Sequence, residues 1–215
     1  MTTLAAHQPD LFPWPGFWLK MARADVFDLA IYDQFRSRGY QRRVMMAGSW
    51  ASLPVLKCDV DTPICDVRIA EGGTDRLIDT IQGRYAGAPF FRERWDDVAR
   101  LIDRSRSSSL WQFNVALIVG VRDMLDIDTP VSIGTRPMLQ GIDGILEVCD
   151  MYPFAETYLS GGGGRAYMGE VPELRFIEEG LDLEWIENPP VPTRESILTV
   201  LFHEEDPTSF LKETP

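Results

Sequence analysis

The opening segment constrains the fold more than any other part of the chain. Residues 6–20 read Ala-His-Gln-Pro-Asp-Leu-Phe-Pro-Trp-Pro-Gly-Phe-Trp-Leu-Lys, with three prolines, one glycine and four large aromatic residues. They also contain one of the two histidines of the protein. Proline cannot donate a hydrogen bond to a sheet, and it biases the preceding residue away from helical angles. The segment therefore predicts a strand that ends in a fixed, irregular turn.

The residues on either side of this turn predict the start of an α/β sheet. A short apolar run at 3–6 predicts the first strand, and Pro15 suits the first turn of a helix that continues over 16–24. The apolar run at 26–32 predicts a second, buried strand. Strand, helix and strand in this order are typical of parallel sheets. We therefore predict an α/β fold with a mainly parallel, Rossmann-like sheet flanked by helices.

The rest of the chain supplies further elements of the same kinds. Strands are predicted at 48–55, 67–70, 130–135 and 156–159. Helices are predicted at 74–85, 89–103, 110–125, 141–151 and 196–203, the last capped by Thr193. A hairpin around Gly180 is predicted at 170–185, and an extended connector at 188–192. We expect a single domain over 1–203 and a loose tail over 204–215.

His7 is the first candidate for a functional site. It would leave the carboxyl end of the first strand, which is where ligands bind in open α/β sheets. A histidine that only holds the proline-rich turn by a hydrogen bond would give the same sequence.

The opening segment resembles the characteristic N-terminal motif of the WbqC-like family. This motif begins with a hydrophobic residue, continues as His-Gln-Pro-x-aromatic-Phe-Pro-Trp-x-Gly-aromatic-aromatic-x-Lys, and is followed by Ala-Asp. The matching residues are His7, Gln8, Pro9, Phe12, Pro13, Trp14, Gly16, Phe17, Lys20, Ala24 and Asp25. The resemblance continues through Gln34, Phe35, Tyr40, Gln41, Arg43 and Trp50, and it returns over 158–167 and at Phe176, Gly180 and Leu183. It implies a bacterial enzyme or accessory protein of surface-polysaccharide or natural-product biosynthesis.

The chain departs from the family pattern at several polar positions. The family usually has two acidic residues before the glutamine and a lysine after it, where this chain has Tyr32-Asp33 and Ser37. Near the end, Thr199 replaces an aspartate, and a Tyr-x-Gln element is missing. If these groups carry chemistry in relatives, this chain acts on another substrate.

The charge distribution points to a small anionic ligand. The net charge of −12 argues against general nucleic-acid binding, because phosphate backbones are held by basic surfaces. Four arginines nevertheless fall within eight residues, at Arg36, Arg38, Arg42 and Arg43. Guanidinium groups grip carboxylates and phosphates bidentately, so this cluster predicts an anion site. A solvated loop with surface ion pairs would look the same.

Other classes of site and location are disfavoured. No run approaches the ~20 apolar residues that a membrane span needs. The three cysteines form no Cys-x-x-Cys pair, which is typical of a reducing cytoplasm, and we expect a cytoplasmic protein without a signal peptide. With two histidines and such cysteines we expect no metal site.

A glycine-rich segment forms the second focus of the sequence. Ser160 is followed by four consecutive glycines, directly after a predicted strand. Such a segment can turn its N–H groups toward an anion, but it has neither the P-loop order nor the Gly-x-Gly-x-x-Gly order. The composition fits either an oxyanion or phosphate cradle or a flexible surface loop.

Together, these patterns predict one site at the carboxyl edge of the sheet. We assign catalytic roles to His7, Gln8 and Asp33, with His7 as general base. The predicted substrate-binding residues are Asp10, Gln34, Tyr40, Arg42, Arg43, Thr135, Ser160, Gly161, Gly162, Gly163, Gly164 and Tyr167. Arg42 and Arg43 would anchor an anion, and the glycines would cradle an oxyanion or a phosphate.

This chemistry, with the setting that the resemblance implies, predicts a transferase or ligase that modifies an amino sugar or amino acid by acyl or aminoacyl transfer. Its partners would be an anionic or amine small molecule and, for some donors, an acyl or aminoacyl carrier. No cofactor is required, although ATP or another nucleotide could take part. One alternative is a nucleotidyltransferase or ligase of the HxGH kind, but Phe17 stands where the second histidine is wanted. The other alternative is a non-enzymatic, anion-binding accessory protein.

Overall fold

Helices and strands alternate in the first and last parts of the chain, whereas the middle contains a hairpin followed by three helices. The structure, a computed structural model, describes residues 1–187 and 195–212. Its strands are β1 (Thr3–His7), β2 (Val26–Leu29), β3 (Arg43–Met46), β4 (Ser49–Ser52), β5 (Val131–Ser132), β6 (Thr157–Gly161) and β7 (Asp182–Ile186). Its helices are α1 (Pro15–Ala22), α2 (Gly73–Tyr85), α3 (Phe91–Arg104), α4 (Leu110–Met124), α5 (Gly141–Asp150), α6 (Pro172–Glu178), α7 (Ile197–His203) and α8 (Ser209–Lys212). The predicted connector at 188–192 and Thr193 lie outside the described residues. The prediction that Thr193 caps the last long helix is wrong, because Ser196 is the N-cap of α7 and its Oγ accepts a hydrogen bond from the Leu198 N–H at 3.2 Å.

The main sheet is parallel throughout. Its strand order is β5-β2-β1-β6-β7, and Leu4 of β1 pairs with Val26 on one side and with Tyr158 on the other. Counted along the chain, this is the 3-2-1-4-5 order of doubly wound folds, in which ligands bind where the order reverses. Here the order reverses between β1 and β6. The prediction of an α/β fold with a mainly parallel, Rossmann-like sheet is confirmed.

Helices cover both faces of this sheet. Successive side chains of a strand point to opposite faces, so each strand contributes to two cores. Ala5 of β1 belongs to a core that includes residues of α1, α2, α3, α4, α7 and α8. Leu4 belongs to a second core, which contains Leu146 of α5 and Phe176 of α6.

The opening segment forms the predicted strand, turn and helix. Pro15 is the first residue of α1, and the indole of Trp14 lies where a Cβ on Gly16 would have to be. Phe12 has a φ of 42°, in the left-handed region that side chains rarely adopt. Its carbonyl accepts a hydrogen bond from Ser196 Oγ at 3.1 Å, so the start of α7 holds the strained turn.

A small hairpin follows β2, and the sequence analysis predicted only part of it. β4 lies within the strand predicted at 48–55, but it pairs antiparallel with β3 in a separate two-stranded sheet. Ala47 and Gly48 both have positive φ, at 46° and 76°, as two-residue hairpin turns require. The prediction missed β3 because its first residue belongs to the arginine cluster.

Several predicted strands are shorter than expected or absent. β2 ends at Leu29, and β5 contains only Val131 and Ser132. The strand predicted at 67–70 is replaced by isolated bridges, such as the one between Val55 and Ile69. These segments are apolar because they are buried, and burial alone does not require sheet pairing.

Two predictions near the carboxyl end are wrong. Residues 170–185 form α6 and β7 instead of a hairpin, and β7 runs parallel to β6. Gly180, with a φ of 76°, follows α6 as a helix-ending glycine and does not turn a hairpin. The predicted loose tail contains α8, where Phe210 is only 3% exposed and belongs to the larger core.

Candidate active site

Two predicted motifs lie at the point where the strand order reverses. His7 is the last residue of β1, and Ser160 and Gly161 are the last residues of β6. β1 and β6 are parallel neighbours, so their carboxyl ends share one edge of the sheet. The fold thus brings the opening segment and the glycine segment to neighbouring positions, which the sequence alone does not decide.

His7 is held in a defined orientation. Its Nδ1 lies 3.0 Å from the carbonyl oxygen of Gln8, and its ring packs edge-on against Phe17 with centroids 5.1 Å apart. Because a carbonyl oxygen only accepts hydrogen bonds, we assign the proton to Nδ1, which leaves the lone pair on Nε2. The side chain is 32% exposed. His7 therefore holds the turn and remains reachable, so the two alternatives for this residue do not exclude each other.

The surroundings of His7 keep its ring neutral. Burial and the charge of Lys20 lower the pKa of His7 to about 3, while the hydrogen bond with Gln8 acts in the opposite direction. A neutral imidazole with a free Nε2 can accept a proton from a substrate. It accepts that proton more readily when a bound anion offsets the Lys20 charge.

A buried acid and a buried base lie beside His7. Asp10 and Lys20 are each 6% exposed, and Asp10 Oδ2 lies 3.8 Å from the His7 Nδ1. Lys20 Nζ donates to the Ala6 carbonyl at 2.7 Å, which fastens α1 to β1. Burial raises the pKa of Asp10 and lowers the pKa of Lys20, and each charge opposes the shift of the other. The sequence analysis left Lys20 out of the site, although it belongs to the motif.

A chain of amide groups positions Asp33. Gln8 Nε2 donates to Asp33 Oδ2 at 2.8 Å, and Gln8 Oε1 accepts a hydrogen bond from Gln41 Nε2. Asn114, fully buried in α4, donates through Nδ2 to the carbonyls of Pro9 and Gln41, both at 2.7 Å. Asn114 thereby connects the opening segment with the loop before β3. Of these residues, the sequence analysis placed only Gln8 and Asp33 in the site.

Asp28 and Asp33 are carboxylates without an ion-pair partner among the described residues. Burial raises the pKa of both, and the Asp33 charge raises the pKa of Asp28 further. Asp28 Oδ2 accepts hydrogen bonds from the Tyr152 hydroxyl and, at 2.7 Å, from the Gly134 N–H. In the part of the chain that the structure describes, no lysine or arginine forms an ion pair with either carboxylate. A cationic ligand would supply the missing charge.

The electrostatic field of Asp33 reaches the glycine segment. Tyr167 is 58% exposed, and its pKa is raised by the burial of the remaining part and by the charge of Asp33. Burial and the charges of Tyr167, Asp28 and Asp33 likewise raise the pKa of Tyr158, which lies in β6. The charge of Asp33 therefore acts on two tyrosines that lie in or beside the glycine segment.

The glycine segment forms a five-residue 3₁₀ turn, Gly162–Ala166. None of its glycines has a positive φ, so unusual backbone angles do not explain them. A Cβ on Gly164 would overlap Ser160 Oγ, whereas a Cβ on Gly161, Gly162 or Gly163 would meet no atom within 4 Å. Gly161, Gly162 and Gly163 therefore leave open space that a ligand can approach.

The arginine cluster divides into exposed and half-buried members. Arg36 and Arg38 are exposed, and Arg42 and Arg43 are half-buried. Burial and the Arg43 charge lower the pKa of Arg42. Within residues 1–187 and 195–212, neither Arg42 nor Arg43 forms an ion pair, and the Arg43 guanidinium stacks over the Trp50 ring at 4.3 Å from its centroid.

Two predicted site residues make other contacts. Gln34 Nε2 donates to the Val60 carbonyl at 2.8 Å and therefore holds the 60–61 loop. Thr135 lies beyond β5, and its hydroxyl contacts Met151 Sδ at 3.1 Å. These contacts do not connect Gln34 or Thr135 to Gln8.

Other kinds of site receive no support from the described residues. No group of three or more His, Cys, Asp or Glu side chains among them could hold a metal ion. No helix of residues 1–187 and 195–212 is long and apolar enough to cross a membrane. A surface depression of about 360 Å³ at the start of α2 is lined by 69–75 and 106–108, which include none of the predicted site residues.

The comparisons with known proteins support the family that the opening segment suggested. No curated protein and no solved structure matches the chain. The model of the WbqC-like protein family matches residues 8–196, which include most of both motifs. The chain belongs to the WbqC-like protein family.

Proposed function

We propose that the protein is a biosynthetic transferase or ligase that modifies a small amine, an amino sugar or an amino acid, by acyl or aminoacyl transfer. Surface-polysaccharide or natural-product biosynthesis is the proposed setting. The observation that carries the proposal is the half-buried carboxylate of Asp33, which has no cationic partner among the described residues and accepts a hydrogen bond from Gln8, the residue after His7. An ammonium group would complete this arrangement, since buried charges are normally paired.

The anionic part of the donor would bind to positively charged side chains. Arg42 and Arg43 have no acidic partner in the described part of the chain, and guanidinium groups bind carboxylates and phosphates. We therefore propose Asp33 as the anchor of the amine and the two arginines as the anchor of the donor.

The proposed reaction uses His7 to move one proton. The bound ammonium group first loses a proton to water and becomes a nucleophilic amine, whose nitrogen then attacks the acyl carbon. As the C–N bond forms, Nε2 of His7 accepts the second proton, and the leaving group departs with the electron pair of the broken bond. Backbone N–H groups of Gly161, Gly162 and Gly163 would stabilise the oxyanion.

The three unpaired cysteines support a cytoplasmic location.

The test is amine-dependent turnover in wild type and in His7→Gln. Purified protein is incubated with a panel of amino sugars and amino acids and with acyl or aminoacyl thioesters, and new amides are detected by mass spectrometry. His7→Gln should lose turnover. His203→Gln is the matched control, because His203 is exposed on α7, where its ring lies near the Thr199 carbonyl and the Tyr85 ring and is remote in sequence from the opening segment. Turnover that is equal in wild type and His7→Gln would contradict the proposal, as would no turnover with any pair.

A nucleotide-dependent ligase or nucleotidyltransferase is the second candidate. The observation that favours it is the 3-2-1-4-5 strand order, which is common to mononucleotide-binding sheets. Phe17 weighs against it, since its ring packs on His7 at the position where a second histidine would be expected. Amide formation that requires ATP or CTP would favour this candidate over thioester-dependent transfer.

A further inference from the structure

Two aromatic side chains form an exposed surface beside the arginine pair. Tyr40 is 55% exposed and Trp50 is 44% exposed, and their ring centroids lie 5.8 Å apart. The Arg43 guanidinium covers part of the Trp50 ring. We call Tyr40, Arg42, Arg43 and Trp50 the aromatic–arginine surface.

The backbone under this surface is firmly held. Val44 and Ala51, on the other face of the β3–β4 hairpin, are buried in the larger core. The Arg84 guanidinium donates to the carbonyls of Ser49 at 2.7 Å and Trp50 at 3.0 Å. A surface that is already ordered costs less entropy when a ligand binds.

The two arginines keep hydrogen-bond donors for a ligand. Stacking uses the face of the Arg43 guanidinium and leaves the N–H groups in its plane free. Arg42 Nε is buried and has no acceptor within the described residues. The charge of Arg43 lowers the pKa of Arg42, so an anion bound at Arg43 would reduce the repulsion between the two guanidinium groups.

The aromatic–arginine surface is continuous with the site of His7. The Tyr40 carbonyl accepts a hydrogen bond from the Leu11 N–H at 3.0 Å, and the next residue, Gln41, is bonded to Gln8. A ligand that covers this surface therefore borders the opening segment.

We propose that the aromatic–arginine surface binds a nucleoside phosphate, with the planar heterocycle on Tyr40 and Trp50 and the phosphates on Arg42 and Arg43. Bases stack on aromatic rings with little sequence preference, and guanidinium groups bind phosphate oxygens bidentately. The inference rests on the proposed function and names the class of its donor. Nucleoside triphosphates and coenzyme A thioesters both carry this chemistry.

Isothermal titration calorimetry tests the inference with ATP, CTP, coenzyme A and inorganic tripolyphosphate as probes. At least one of the first three should bind to the wild type. Trp50→Leu should weaken that binding by about 5- to 150-fold, which is the usual contribution of stacking, and should leave tripolyphosphate binding unchanged. Arg43→Gln should weaken both. Arg92→Gln is the control, because Arg92 is exposed on α3 and forms no ion pair in the described part of the chain.

The probes also distinguish a coenzyme A thioester donor from a nucleotide donor. Binding of coenzyme A alone indicates a thioester donor, and binding of ATP or CTP indicates a nucleotide donor. Tyr40→Leu repeats the stacking test at the second ring, and the melting temperature of each variant shows that it is folded.

Two results would overturn the inference: no binding of ATP, CTP or coenzyme A to the wild type, or binding that Trp50→Leu and Tyr40→Leu both leave unchanged. If His7-dependent amide formation occurs without such binding, the proposed function stands and the inference fails. If binding depends on Trp50 but no amine is modified, the inference stands and the proposed function fails.

Discussion

The opening segment and the glycine segment meet at one edge of the sheet, but they are built in opposite ways. In the opening segment, Gln8 forms side-chain hydrogen bonds with Asp33 and Gln41, and Asn114 binds the backbone on both sides of that contact. In the glycine segment, three successive residues, 161–163, have open space where a side chain would be.

This difference is consistent with different roles for the two segments in the proposed function. Under the proposed function, the proton acceptor His7 and the amine anchor Asp33 both need a fixed geometry, which neighbouring hydrogen bonds provide. A substrate needs room, which the absence of side chains provides at Gly161, Gly162 and Gly163. Substitutions in the first segment should therefore reduce stability, whereas most substitutions in the second should affect binding alone.

The largest expected effect on stability is that of Asn114→Ala. The change leaves the buried carbonyls of Pro9 and Gln41 without donors, at a cost of about 1–3 kcal/mol for each. We expect the free energy of unfolding, measured with urea, to fall by about 2–6 kcal/mol. Gln112→Ala on the same helix is the control, since Gln112 is exposed. Equal losses in the two variants would show that Asn114 does not hold the segments together.

A smaller effect is expected within the glycine segment, where its members differ. A methyl group on Gly164 would overlap Ser160 Oγ and crowd Met168 and Trp185, so Gly164→Ala should cost about 1–3 kcal/mol. Gly162→Ala meets open space and should change the unfolding free energy by less than about 0.5 kcal/mol. Urea denaturation of both variants gives the comparison. A Gly162→Ala variant as unstable as Gly164→Ala would mean that the segment is packed and not open.

The sequence predicted the elements of the site better than their connections. Pro15, Gly16 and the apolar runs beside them are local signals, and they correctly placed β1, α1 and β2. Gln41 and Asn114 could not be assigned in this way, because each partner lies far away in the chain: Asn114 is 73 residues from Gln41 and 105 from Pro9. Hydrogen bonds between such distant residues leave no spacing pattern.

The strand order also could not be predicted from local sequence patterns. Residues 170–185 alternate in polarity as a hairpin does, but the pairing of β7 with β6 depends on the crossover made by α6. The position of the glycine segment beside His7 follows from this order. Local sequence patterns therefore could not decide whether the opening segment and the glycine segment lie close together, because this depends on the strand order.

The pH dependence of stability should distinguish His7 from Asp10. The pKa of His7 is lowered from 6.5 to about 3, so its contribution to stability is present above pH 6.5 and is lost as the pH falls toward 3. The pKa of Asp10 is raised from 3.8 to about 7, so its contribution is present below pH 3.8 and is lost as the pH rises toward 7. Between these pH values the two contributions have opposite slopes.

Removal of either group should therefore change the slope in a different direction. From pH 3.8 to 6.5, the free energy of unfolding should rise more steeply with pH in Asp10→Asn than in the wild type, and less steeply in His7→Gln. Urea denaturation at several pH values in this range measures both slopes. A change of the same sign in the two variants would contradict the charge states assigned to this site.

The central claim is that the opening segment and the glycine segment form one site, and the pKa of Tyr167 tests it most directly. NMR titration of labelled tyrosine should show a lower Tyr167 pKa in Asp33→Asn than in the wild type, because the Asp33 charge raises that pKa. Asp182→Asn is the control, since Asp182 is exposed at the amino end of β7. A Tyr167 pKa that falls in Asp33→Asn alone would support a shared site. A Tyr167 pKa that is the same in all three proteins would contradict it.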